Sequence, residues 1–421
     1  MIYIALPAMN EPDLPARLLE LNRQSLLPHT VYVCINQPQA YHADGLPQHL
    51  QTCRVNQEVF RQLQQMKAEG RFAFRLELID RFSEQNAWNG KHFGVGWARK
   101  TAMDFVAQEA ADTDILVCAD ADTFYPADYL YDIQRQFDLY PDAVALANPY
   151  CHFLADCEGN ELPPAQQAAI LHYEVYMRSY VLNMRLTAHP YAFTAVGSSM
   201  ACRIKAYRRI GGISPFKSGE DFYFLQKLAK TGALIVHSDS VSHPSPRLSE
   251  RVFFGTGPAL RKGMEKGWDS YPIYPTALFE RMKEAYNALP KLFKSGRSSQ
   301  ALDFWEEAFG KDWWMPLLQN SGGKEAQFIH ACKEKFDALR SLQFLKANYP
   351  QDDEQDWQNL RGLCRKLEAV GLHEGSVADV CGNPEIRSLS DLRLQDWKDL
   401  REYLFLCERS LQRGQPVLPA W

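Results

Sequence analysis

Short apolar runs alternate with helix-period segments through the first part of this chain, and no other feature restricts the fold as much. Residues 2–6 read as a strand, a polar loop follows at residues 7–12, and leucines between Leu14 and Leu26 recur at helical spacing. Residues 31–35 form a second strand, and a helix over about 56–69 leads to a third at 74–79. A helix over 99–108 precedes a strand that ends at Asp120, and residues 144–147 add another. This order predicts an α/β fold, with a mixed, mostly parallel sheet sandwiched by helices.

From about Tyr274 onward the pattern changes to helical periodicity without convincing strands. Phe304, Trp305, Phe309, Trp313 and Trp314 cluster there, and Trp357, Leu360, Leu363 and Leu367 mark an amphipathic helix. Such aromatics are expected in core packing. The sequence therefore predicts a catalytic-type α/β domain over residues 1–272 and an all-helical C-terminal region over 273–421. A length of 421 residues accommodates both, and the net charge of −5 gives no support for nucleic acid as a partner. No run has the length and apolarity of a membrane span, and no basic leader precedes the first strand. The ten cysteines are scattered without zinc-ligand spacing; Cys34 and Cys118 sit in strand-like runs, as reduced buried thiols do. A cytoplasmic protein is the expectation, with peripheral membrane contact or self-association through the helical region left open.

The apolar strand that begins at Ile115 runs straight into Asp120-Ala121-Asp122. Buried strands seldom end in carboxylates, because an unpaired charge near the interior is costly. Asp120 and Asp122 project to one side of an extended backbone, at the strand end where open α/β sheets bind ligands. Hard oxygen ligands of this kind suit Mg²⁺ or Mn²⁺ with phosphate oxygens completing the shell. A solvated turn and helix cap is the plainer alternative.

Over roughly residues 1–260 these motifs resemble the family-two glycosyltransferases, which have the nucleotide-diphospho-sugar transferase (A-type) fold. The loop with Pro7, Asn10 and Glu11 resembles the family's first nucleotide-contacting loop. Gly94-Val95-Gly96-Trp97-Ala98-Arg99-Lys100 resembles its G-x-x-x-A-R-N helix start, with Lys100 in place of Asn. Asp120-Ala121-Asp122 matches the Asp-x-Asp motif, Gly219-Glu220-Asp221 the later Glu-Asp motif, and Gly211-Gly212 before it is also typical. By this resemblance Asp122 ligates Mn²⁺ or Mg²⁺ and Asp120 contacts ribose or a metal-bound water. Asp221, beside Glu220 at the start of a helix, is the general base for the acceptor hydroxyl. Gly197 and Ser198 approach the donor sugar, and His243 completes the metal site. Arg247 and Arg251 close over the diphosphate, for which a planar guanidinium is suited. First-turn helix acids, a plain turn and solvated arginines are the bland readings of the same residues.

Two departures limit what the resemblance carries over. The second strand ends in Asn36, which can hydrogen-bond a base edge but lacks the family's acidic charge, so UDP- and GDP-sugars both stay open. The Gln-x-x-Arg-Trp signature of processive synthases is missing. The expectation is a non-processive, metal-dependent glycosyltransferase of the hexosyltransferase class, inverting, acting on a carbohydrate, lipid-linked or small-molecule acceptor. A non-catalytic sugar-nucleotide-binding or scaffolding protein is the rival from another class. A sugar-phosphate nucleotidylyltransferase ranks lower, because residues 7–12 contain no Gly, Lys or Arg for a triphosphate.

Overall fold

In the computed structural model, which describes residues 1–90, 93–156, 159–216, 219–248, 256–349, 352–372 and 377–420, the opening apolar run is β1 (Ile2–Ala8), buried throughout. Leaving short 3₁₀ turns aside, it is followed by α1 (Leu14–Glu20), β2 (Thr30–Asn36), α2 (Pro47–Ala68), β3 (Arg75–Arg81), α3 (Val95–Glu109) and β4 (Ile115–Cys118). Then come α4 (Tyr129–Leu139), β5 (Ala145–Ala147), α5 (Pro164–Leu186), β6 (Met200–Arg203), α6 (Ile204–Arg209), α7 (Glu220–Ala229) and β7 (Leu234–Ile235). The strands lie in the order β3-β2-β1-β4-β6-β5-β7. All these pairings are parallel except those of β6, which runs antiparallel to both β4 and β5.

Continuous apolar strands need cover on both faces. Cys118 lies against Met103 of α3, whereas Val117 and Ala119 share a small cavity wall with Leu18 of α1 and Tyr129 of α4. The mixed, mostly parallel, helix-sandwiched sheet expected from the sequence is what forms. Because β6 is antiparallel, its first residue, Met200, sits beside Cys118 at the end of β4. The loop entering β6 therefore meets the loops leaving β1 and β4 at one end of these central strands.

Two compact units divide the chain: Met1–Leu162 with Ala195–Arg261, and Pro163–Thr194 with Lys262–Trp421. A single cut near residue 272 falls close to the last of the three crossings and misses the two that bound Pro163–Thr194. The cause is α5, a 23-residue helix with Leu171, Val175 and Leu182 among its buried residues. It packs with the helix Leu394–Gly414 of the same unit. Arg178 on α5 is buried between Glu174 at 2.8 Å and Glu408 at 2.7 Å. Elsewhere in this unit Trp305 stacks on Phe336 at 4.6 Å, and Trp313 and Trp314 are buried, so the aromatics are core as expected.

α2 starts at Pro47 rather than near residue 56, because proline at the first helical position sets the start. Its early turns lack an apolar stripe: half of its four buried residues, Thr52 and Asn56, are polar. Among the described residues no helix is long and apolar enough to cross a membrane, and Cys34 and Cys118 are free and buried.

Candidate functional site

Period-two alternation carries past the end of β4. Cys118 faces α3, so Asp120, two residues on, returns to that side, and Arg99 lies one turn before Met103 on α3. The two meet. Arg99 Nη2 donates to Asp120 Oδ1 at 2.9 Å, Nη1 to the Gly197 carbonyl at 3.0 Å, and Nε to Glu220 Oε1 at 3.3 Å. Burial disfavours the charged guanidinium, but Asp120 and Glu220 outweigh it and raise its pKa. At 2% exposure with all three nitrogens donating to protein groups, Arg99 is a hub that joins motifs, not a surface contact for a nucleotide.

The surroundings of the hub explain two glycines. A Cβ on Gly197 would lie 2.8 Å from Arg99 Nη2 and 3.6 Å from Asp221 Oδ2, so a side chain there would displace the guanidinium. At Gly96, on the first turn of α3, a Cβ would lie 2.1 Å from the Phe216 carbonyl oxygen. That close approach brings the segment before Glu220 onto the helix that carries Arg99. Tyr125 adds a lock: the Asp120 N–H donates to its hydroxyl at 3.1 Å, and the hydroxyl donates to the Ser198 carbonyl at 3.0 Å. Sequence reasoning missed Tyr125; a buried tyrosine five residues after Asp120 was the available signal. Asp221, half-buried in the first turn of α7, accepts from the Phe222 N–H at 2.8 Å. Burial and the neighbouring Glu220 charge push its carboxyl up to about 7, with the Phe222 N–H and Arg99 opposing.

A second cluster lies at the other carboxylate of the pair. Antiparallel backbone bonds between Phe124 and His243, 2.9 and 3.0 Å, dock the segment after β7 onto the Asp-x-Asp turn. Arg247 Nη2 thereby donates to Asp122 Oδ2 and to Glu11 Oε1, both at 2.7 Å, and Nη1 donates to Glu11 Oε2 at 3.1 Å. Burial, then mutual repulsion, pushes Asp122 up to about 7; Glu11 reaches about 7 mainly through burial, with Arg247 opposing in both cases. His243 bonds the Cys151 carbonyl through Nδ1 at 2.7 Å and stacks on Phe153 at 4.1 Å. That bond keeps the proton on Nδ1 and makes Nε2 the nitrogen with ligand chemistry.

Other expected residues are placed differently. Pro7 is not in a loop: β1 continues through it, and it is buried opposite Cys34 because the apolar register with β2 extends to Ala8. Asn10 has a positive φ of 58° and its N–H donates to Asn56 at 2.8 Å. Asn56 also donates to the Asn36 carbonyl and to Gln37, which ties the ends of β1 and β2 to α2. The Asn36 amide nitrogen is spent on the Ala8 carbonyl at 2.9 Å, and its Oδ1 is buried without a partner. Lys100 pairs with Asp104 at 2.8 Å, one turn along α3, and does not join either cluster. Arg251 lies outside the described residues.

Among the described residues no three of His, Cys, Asp and Glu form a group that would hold a metal by themselves. The chemistry of the Glu11–Asp122 pair nonetheless fits a divalent cation. Both are hard oxygen donors that share the Arg247 guanidinium, and Mg²⁺ in phosphate sites commonly takes one or two carboxylates plus substrate oxygens.

No protein-family model matches the sequence, and no curated protein matches it. Among solved structures the chain is similar to S. aureus TarS 1-349 in complex with UDP-GlcNAc, at 14% identity and a TM-score of 0.39, covering 80% of this chain and 90% of that one. TarS 1-349 in complex with UDP is similar at 13% identity and a TM-score of 0.37, with the same coverage. A further TarS structure is similar at 14% identity and 0.37, where the chain spans 55% of that protein. Likeness at this level says nothing of what this chain binds.

Proposed function

We propose that this protein is a non-processive, metal-dependent, inverting glycosyltransferase that moves a sugar from a UDP- or GDP-sugar to an acceptor hydroxyl. The observation that carries the proposal is the Arg99 hub, which gathers Asp120, Gly197 and Glu220 from three distant segments at one end of the central strands. Beside it Glu11 and Asp122 share the Arg247 guanidinium. Scattered surface acids and turn glycines would not converge in this way.

Asp221 acts as the base. A carboxyl pushed up to about 7 is partly protonated at neutral pH and holds a transferred proton well. Its oxygen takes the acceptor hydroxyl proton as that hydroxyl oxygen bonds the anomeric carbon. The bond from that carbon to the diphosphate oxygen breaks, and its electron pair leaves with the nucleoside diphosphate. Arg247 moves its donors from Glu11 and Asp122 to the phosphate oxygens, where the fork of a guanidinium fits. Glu220 and Asp120 stay with Arg99 and hold the turn and helix start in place. Asp122 and Glu11, with phosphate oxygens of the donor completing the shell, would hold Mn²⁺ or Mg²⁺, which would supply charge neutralisation at the leaving diphosphate; His243, expected to complete the site, forms no three-residue group with them among the described residues.

Incubating the purified full-length chain with UDP-glucose, UDP-galactose, UDP-N-acetylglucosamine and GDP-mannose, with Mn²⁺, tests this directly. Release of UDP or GDP from at least one donor is expected, and EDTA should abolish it. Turnover that survives exhaustive chelation would refute the metal role, and no turnover and no thermal shift with any donor would refute the proposal. The product anomer, read by NMR, decides inversion.

A further inference from the structure

Phe124 and Phe153 are 40% and 42% exposed, and both stand beside the Asp-x-Asp turn. Phe124 follows Asp122 by two residues, and its backbone is bonded to His243 in both directions. Phe153 lies face to face with the His243 imidazole at 4.1 Å and 8°, and its ring centre is 5.8 Å from that of Phe124. The underlying backbone is pinned as well: the Cys151 N–H donates to Ser242 O at 3.0 Å, and His243 Nδ1 bonds the Cys151 carbonyl. Three segments from different parts of the chain thus hold two exposed rings in fixed positions. Core packing does not explain rings this open, and a mobile loop would not be pinned at three points.

We infer that Phe124 and Phe153, whose planes are inclined at 50°, form a stacking platform in which one ring takes the pyranose face of a carbohydrate acceptor and the other flanks it. This rests on the donor-site assignment proposed above and extends it to the second substrate. A pyranose carries axial C–H groups on a face and hydroxyls around its edge, so an aromatic platform takes the face and leaves the hydroxyls toward polar groups. Here the His243 ring beside Phe124 supplies a polar edge. Phosphate chemistry belongs to the charged cluster of Glu11, Asp122 and Arg247, where phenyl rings have nothing to offer a diphosphate. The acceptor, by contrast, arrives from solvent, which these rings face. Rigid rings also lose little conformational freedom on binding, which favours recognition of a weakly hydrophobic partner.

The test uses the full-length chain saturated with UDP and Mn²⁺, and the methyl β-glycosides of glucose, galactose and N-acetylglucosamine as probes in saturation-transfer NMR. Saturation of ring C–H protons is expected for at least one glycoside. The double variant Phe124→Ala, Phe153→Ala should lower that transfer about tenfold, the scale of losing a stacked ring. The variant Phe124→Tyr, Phe153→Tyr should retain it, and UDP–Mn²⁺ affinity should stay within about twofold in both. Transfer unchanged by the alanine variant, or absent for every glycoside, would overturn the platform. So would a loss of UDP-sugar affinity in that variant with UDP affinity intact, because the rings would then serve the donor. Where GDP rather than UDP binds with Mn²⁺, GDP replaces UDP throughout; if the wild-type chain binds neither, the donor-site assignment itself falls, and that arm is read separately from the glycosides.

Discussion

Replacing Arg99 with Met removes a buried charge and keeps most of the side-chain volume. Three hydrogen bonds disappear, two of them to carboxylates. Glu220, 5% exposed, would be left as a buried acid without its partner, and the Gly197 carbonyl would lose its donor. Breaking a buried ion pair from one side costs about 3–5 kcal/mol. Asp120 is about one-third exposed and recovers part of its share from water, so the lower half of that range applies, roughly 3–4 kcal/mol. For a folding unit of this size about 2–4 °C of melting temperature accompanies each kcal/mol, which gives a drop of roughly 10 °C. Differential scanning calorimetry of wild type, Arg99→Met and Lys100→Met measures it. Lys100 shares only a part-exposed pair with Asp104, so Lys100→Met should stay within about 1 kcal/mol. Equal melting temperatures for the two variants would refute the hub.

Gly197→Ala should cost about 1–3 kcal/mol by forcing Arg99 aside from a 2.8 Å contact, and nucleotide release should fall further than stability does, as kinetics beside circular dichroism melts would reveal. Asp221→Asn should lower turnover by about 10²-fold or more while UDP affinity measured by calorimetry stays unchanged. Since a base works deprotonated, wild-type turnover should rise with pH through about 7, and a profile flat from pH 5.5 to 8.5 would remove Asp221 from that role. A fragment ending at residue 272 keeps α5 but loses Glu408 and the rest of the helix Leu394–Gly414, leaving Arg178 unpaired on that side and apolar surface bare; it should aggregate on gel filtration, whereas a soluble monomer would contradict the division into units.

Much of the sheet was legible because buried parallel strands write themselves as apolar runs, as β1, β2 and β4 do. The antiparallel entry of β6 was not, since Met200–Arg203 carries no signal of direction. Helix α5 escaped notice because it is buried on several sides and has no clean stripe; Glu174 and Arg178 sit inside it, paired with each other across one turn, and Arg178 also pairs with Glu408, 230 residues away. Asp120 and Arg99 were recognisable as motif members, yet their partnership was not, because it follows from the register of α3 on β4. Tyr125 and Asn56 hold backbone rather than substrate, and residues of that kind leave no local pattern to read. Arg247 was identified by type, but its pairing with both Glu11 and Asp122 depends on a two-bond bridge between Phe124 and His243 that no spacing rule anticipates.

The partners of Arg99 stand 21, 98 and 121 positions away along the chain. Between the first and the last of them the polypeptide leaves its unit, contributes Pro163–Thr194 to the other one, and returns. Loop closures of that span are entropically slow, and native contacts so far apart form late. During synthesis the hub cannot close before residue 220 has emerged, even though β1, β2, β3 and α3 are complete long before. Ordered helix and strand should therefore accumulate well ahead of any capacity to bind nucleotide. Until the excursion returns, Arg99 is a charged side chain waiting beside a half-built sheet, and that interval is when the nascent chain is most exposed to misassembly.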